Sequence, residues 1–123
     1  MFWGKWFKDD DIEYLINLKN QNQIKFVLGF NEPDSPNQSN ISVDEAIALW
    51  PKLESIGLPL GSPVTVNPEN KWMINFMQKA NDLGLRIDFI CVHHYGGKNV
   101  HGLLQKLHRV HQRYNRPIWI TEF

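Results

Sequence analysis

The sequence predicts an α/β fold of the (β/α)8, TIM-type barrel kind, incomplete within this chain. Three observations predict it. Short apolar runs at 24–30, 58–64, 87–93 and 117–122 are nearly continuous rather than alternating, the mark of strands buried on both faces. Helical patterns separate these runs at spacings of about 30 residues, so each strand–helix–strand unit closes by a right-handed crossover into a parallel sheet. The polar residues with useful chemistry, Asn31, Glu32, Ser62, His93, Tyr95 and Glu122, fall at the C-terminal ends of the runs, where a barrel of this kind keeps its active site.

Each element has its own local justification. Met1–Trp3 is a short apolar stub before Gly4. Asp9, Asp10 and Asp11 favour a helix N-terminus, and Ile12, Leu15, Ile16 and Lys19 follow at helical spacing. The run Phe26-Val-Leu-Gly-Phe30 stops at Asn31-Glu-Pro-Asp34, because Pro33 cannot donate to a sheet ladder. Ser42 with Glu45 forms a capping box for a helix over 43–56, with a kink or break expected at Pro51 and a cap at Gly57. Asn70 opens a helix over 71–83, capped by Gly84. The glycines of His93-His-Tyr-Gly-Gly97 turn the chain into a helix over 100–114.

Strand parity makes further expectations. Ile118, Ile120 and Glu122 share a face, which sends Trp119 toward the helical layer; His93 and Tyr95 share a face with Cys91 and Phe89, and His94 points away. Adjacent Asn31 and Glu32 cannot both point inward from a regular strand, so a local twist is required there.

Composition narrows the function classes. The 123 residues suffice for one modest domain, and 42% hydrophobic with 21% charged residues excludes disorder. The formal net charge is zero, and there is no basic cluster for nucleic acid. Arg109, Arg113 and Arg116 read as a solvated helix face and cap. No run reaches the ~18 apolar residues of a membrane helix, and the opening residues are neither a signal nor a transit peptide. The single cysteine, Cys91, lies inside an apolar strand and reads as an inert buried thiol.

Two carboxylates facing one cleft are the minimum equipment for cleaving a glycosidic bond: one protonates the leaving oxygen, the other attacks the anomeric carbon or activates water. Glu32 and Glu122 stand at matching strand ends and form such a pair.

The motifs Leu28-Gly-Phe-Asn-Glu-Pro-Asp34, Gly61-Ser-Pro63, Asp88-Phe-Ile-Cys-Val-His-His-Tyr-Gly96 and Pro117-Ile-Trp-Ile-Thr-Glu-Phe123 resemble glycoside hydrolase family 128, the alkali-sensitive-linkage-type glycosyl hydrolase catalytic domain of clan A. The resemblance covers residues 1–123, and it implies that they form a partial catalytic domain, roughly barrel strands 3 to 7. It implies retaining, endo-acting hydrolysis of β-1,3-glucan, with no metal and no cofactor. By motif, Glu32 resembles the acid/base, Glu122 the nucleophile, and Asn31 the residue that bonds the sugar 2-hydroxyl. His93, Tyr95 and Trp3 resemble substrate-binding positions, Tyr95 also as a group that orients the nucleophile. His94 departs from the family pattern, which has Trp there. The resemblance further implies a β-glucan polysaccharide or oligosaccharide partner, a monomer when complete, and an extracellular or cell-wall setting. The missing strands would deny the cleft one wall and leave the isolated chain inactive.

Two other readings compete. A metal site would draw on His93, His94, His101, His108 and His111, but no His-Glu-x-x-His or cysteine pair accompanies them. A non-catalytic β-glucan-binding or degenerate homologue would grip sugar with Trp3, Trp6 and Tyr95 while the carboxylates stayed idle.

Overall fold

The computed structural model describes residues 1–2 and 6–123. Among the described residues four helices, α1 (Asp9–Asn20), α2 (Val43–Glu54), α3 (Lys71–Asp82) and α4 (Val100–Tyr114), accompany two regular strands, β1 (Ile90–His93) and β2 (Ile118–Glu122), which pair in parallel. Parallel bridges continue the same layer through irregular segments: Phe2 with Phe30, Val27 with Leu60, Asn31 with Val64, and Gly61 with Phe89. The layer therefore runs in chain order from Phe2 to β2.

The expected strands over 24–30 and 58–64 do not form regular ladders. The carbonyls of Val27 and Phe30, three residues apart, both accept from the 60–64 segment, through Gly61 N (2.8 Å) and Val64 N (3.0 Å). A regular strand turns every second carbonyl to the same side, so the two segments buckle together here. Prolines at 59 and 63 supply no N–H, and Gly29 presses against Ser62 and Pro63 so closely that a Cβ would meet backbone atoms at 2.8 Å.

The helices begin and end where the sequence says they should. Ser42 N donates to Glu45 Oε2 (2.9 Å) and Glu45 N to Ser42 Oγ (3.2 Å), closing the capping box of α2. Gly57 and Gly84 take the left-handed conformation (φ 74° and 69°) just beyond α2 and α3. The break expected at Pro51 does not occur. The residue sits in the last turn of α2, which continues to Glu54, and its carbonyl still accepts from Ser55 N (3.0 Å).

An aromatic core joins sheet to helices. Phe30, Trp50 and Phe76 are fully buried, with edge-to-face contacts at 6.0 and 5.0 Å, and Trp72 stacks on Phe76. The indole N–H groups of Trp50 and Trp72 donate to the carbonyls of Arg86 (3.0 Å) and Ile41 (2.9 Å), so no buried donor is wasted. Tyr114 anchors α4 by donating to the Pro68 carbonyl at 2.6 Å.

The parity expected for β2 is overturned. Ile90 pairs with Ile118 and Cys91 with Trp119, but His93 pairs with Glu122, with a register shift between Val92 and His93. This bulge carries Glu122 onto the face of Trp119. Trp119 stacks on Phe89 (4.3 Å) and meets Phe26 edge-on (4.7 Å), leaving it 40% exposed on the inner side of the layer, while Ile118 packs on the helical core. The face shared by Phe89, Cys91 and His93 is as expected.

No helix among the described residues is long and apolar enough to cross a membrane. Arg109 forms a two-pronged pair with Glu69, and Arg116 caps the end of α4 through the Tyr114 carbonyl while also donating to the Ile87 carbonyl ahead of β1.

Candidate active site

At the C-terminal rim of the layer, a cleft of about 360 Å³ is lined by Asn31, Glu32, Gln38, Tyr95 and Glu122. The sequence makes this convergence possible locally. Glu32 adopts φ +38°, the left-handed region that a glutamate rarely enters. This supplies the twist that lets Asn31 and Glu32 approach the same site from adjacent positions. Its own N–H donates to Val64 O at 2.7 Å, which ties the strained residue to the neighbouring segment. Pro33 then ends the strand.

His93 is buried between the two glutamates. Its Nδ1 lies 3.0 Å from Glu32 Oε1, and its Nε2 lies 3.3 Å from Glu122 Oε1. The second contact is close but not aligned as a hydrogen bond, and Nε2 has no other partner among the described residues. With its side chain 2% exposed, His93 touches both carboxylates from behind the residues that line the cleft. The β-bulge delivers Glu122 to this position, and His94 N donates to Glu122 O (2.9 Å) to fix the strand end.

Tyr95, 70% exposed, donates its hydroxyl to Glu122 Oε2. That bond, with burial and the charges of Glu122 and Glu32 adding to it, pushes the phenol above its usual pKa. The hydroxyl thus keeps its proton and remains a donor to the carboxylate.

Asn31 is 4% exposed, and its Nδ2 donates to Gln38 Oε1 at 3.0 Å. Its Oδ1 is buried with no partner among the described residues. An orphaned acceptor of this kind costs about 1–3 kcal/mol.

Gln38 carries no signal in the sequence alone. It sits in the polar loop 34–40, and only folding of that loop back on the strand end brings it to the cleft. Trp3 lies outside the described residues. Trp6 is exposed, and no contact places it at the cleft.

Other polar residues have structural duties. Ser62 is fully buried, accepts from Cys91 N (3.0 Å) and donates to Pro63 O (2.7 Å). Burial pushes the Cys91 thiol up to about 12, too high for a reactive thiolate. His101 pairs with Gln105, and His111 Nδ1 lies 3.0 Å from Arg116 O. Among the described residues no cluster of three or more His, Cys, Asp or Glu could hold a metal ion.

A larger, apolar depression of about 600 Å³ adjoins the cleft, lined by His94, Tyr95, Gly97, Leu103, Ile120 and Phe123. It shares only Tyr95 with the acidic cleft. His94, pointing away from its neighbour, faces this second depression.

Comparison with known proteins bears on this geometry. No curated protein matches the chain. Solved structures of a GH128 (subgroup I) endo-β-1,3-glucanase from Amycolatopsis mediterranei do match. The enzyme in complex with laminaritriose is 38% identical, with TM-score 0.77, over 97% of this chain and 51% of that one. A variant with one glutamate changed to alanine, in complex with laminaripentaose, is also 38% identical, with TM-score 0.78 and the same coverage. A variant with that glutamate changed to glutamine is 37% identical, with TM-score 0.79, over 98% of this chain and 52% of that one. The chain thus spans about half the length of these neighbours. Residues 1–123 match the family described as Glycosyl hydrolase catalytic core. With the whole chain inside that match and its solved neighbours all GH128 enzymes, the chain belongs to the glycosyl hydrolase catalytic core family.

Proposed function

We propose that this chain is part of a retaining, endo-acting β-1,3-glucan hydrolase, with Glu32 as acid/base and Glu122 as nucleophile. The observation that carries the reading is the pair of glutamates held at one cleft by a single buried imidazole. The neighbours' complexes with laminari-oligosaccharides favour β-1,3-glucan as substrate. That the chain spans half of each neighbour supports reading it as barrel strands 3 to 7 of a larger catalytic domain.

The contacts support these roles. Glu122 accepts from Tyr95, which positions one carboxylate oxygen and so orients the group for attack. His93 touches Glu32 through Nδ1 and Glu122 through Nε2, so one ring holds both carboxylates at the cleft. Retaining hydrolysis requires a proton on the acid/base carboxyl, ready for the leaving oxygen, and a free carboxylate as nucleophile. In the first step Glu122 bonds to the anomeric carbon as the glycosidic bond breaks and Glu32 gives up its proton. In the second, Glu32 takes a proton from water, whose oxygen attacks the same carbon and releases Glu122. Asn31 bonds the sugar 2-hydroxyl, a contact that tightens at the transition state.

The test is hydrolysis of laminarihexaose by this chain and by a form extended to the length of the solved neighbours, with Glu32→Gln and Glu122→Gln as controls. We expect hydrolysis by the extended form with the β-anomer formed first, loss of at least about a thousandfold in each variant, and retained binding. Binding without hydrolysis in the extended form would overturn the enzyme reading in favour of a binding module. An α-anomer would overturn retention.

A further inference from the structure

Gln38 belongs to the loop between the first glutamate and α2, and that loop is built rather than loose. Ser35 N donates to Glu32 O (3.0 Å), Gln38 N to Ser35 O (3.1 Å), Ser39 N to Asn31 O (3.2 Å) and Ile41 N to Pro33 O (3.1 Å). Ser39, 4% exposed, also donates through Oγ to Phe2 O at 3.4 Å. Four backbone bonds and a buried serine fold the loop against the strand end, so Gln38 is set in the cleft wall beside Asn31, Glu32 and Glu122.

The pairing of two amides here is informative. Asn31 spends one Nδ2 proton on Gln38 Oε1, which fixes the rotation of its amide. Its second Nδ2 proton is left over, and its buried Oδ1 is unpartnered. Gln38 Nε2 donates to no group among the described residues. Neutral amide donors thus stand beside two carboxylates in one cleft. A hydroxyl suits such a wall, because it accepts from an amide and donates to a carboxylate at once. A cation would satisfy the carboxylates but leave the amide donors unmet.

We propose that Gln38 is a specificity-determining residue of this site: Oε1 locks the Asn31 amide, and Nε2 donates to a hydroxyl of the same sugar unit that Asn31 holds. The proposal rests on the glucan reading above and adds to it a loop residue outside both strand-end motifs.

The test uses the 15N-labelled form extended to the length of the solved neighbours, with laminaritriose as probe and Gln38→Glu and Gln38→Met as variants. Gln38→Glu keeps the acceptor for Asn31 and removes the donor to sugar; Gln38→Met removes both. Without ligand, the Asn31 side-chain amide protons should remain well separated in the wild type and Gln38→Glu and collapse toward free-amide positions in Gln38→Met, with the backbone amide signals remote from the loop unchanged. With laminaritriose, the wild type should shift its Gln38 amide signals, and both variants should bind about three- to tenfold more weakly, the worth of one neutral hydrogen bond. Wild-type binding with both variants unchanged would overturn the role of Gln38 and leave the glucan reading intact. Collapse of the Asn31 signals in Gln38→Glu would overturn Oε1 as the locking atom. No binding by the wild type would sink the glucan reading and the sugar contact together, while the ligand-free spectra would still decide the lock.

Discussion

His93 lies between Glu32 and Glu122, 3.0 Å from one through Nδ1 and 3.3 Å from the other through Nε2. One ring thereby sets the relation between two carboxylates that arrive from segments 90 residues apart in the chain. Replacing it with alanine leaves both groups without their common contact and lets them face each other directly. In the hydrolysing form, His93→Ala should lower kcat about a hundredfold with little change in KM, as expected for a misplacement of ~1 Å. A normal kcat would show that His93 has no part in positioning.

Gly29 supports the site from beneath. A Cβ there would lie 2.8 Å from Ser62 C, Ser62 O and Pro63 N, all backbone atoms that cannot swing aside. Gly29→Ala must push the 26–31 and 60–64 segments apart, and Glu32 is tied to the second by its bond to Val64 O. We expect a loss of about 1–3 kcal/mol in urea unfolding at unchanged m value. Wild-type stability in this variant would mean that the close approach is not maintained in solution.

Alkaline pH should destabilise the fold through two buried groups. Burial raises both the Tyr114 phenol, from 10.0 to about 12, and the Cys91 thiol, from 9.0 to about 12. For a raised pKa, the stabilisation is complete below the unfolded value and is lost as pH climbs through the folded one. The loss therefore falls between about pH 9 and 12, where the unfolded chain releases both protons before the folded one does. Melting temperature measured across that window should fall steeply for the wild type and less steeply for Tyr114→Phe. That variant should also be about 1 kcal/mol less stable at pH 7, having lost its bond to Pro68 O. Equal slopes would show that Tyr114 does not titrate as a buried group.

What the sequence determined by itself is what local chemistry controls. The runs 87–93 and 117–122 announce strands, of which the first is buried as expected while the second is left half-exposed, Ser42 with Glu45 and Asn70 announce helix starts, and Gly57 and Gly84 announce ends, because apolar continuity and capping are read within a few residues. The same locality placed Glu32 and Glu122 at strand ends and required a twist at Asn31–Glu32, which φ +38° at Glu32 provides. Only the tertiary structure decided which way Trp119 and Glu122 face, since the bulge opposite His93 arises from pairing between strands and breaks the two-residue repeat that parity assumes. It likewise decided that two expected strands buckle around Gly29 and two prolines, that His93 is enclosed by both carboxylates, and that Gln38 meets Asn31. Each of these depends on contact between segments distant along the chain or on a loop folded back against it, and neither composition nor periodicity encodes such a contact.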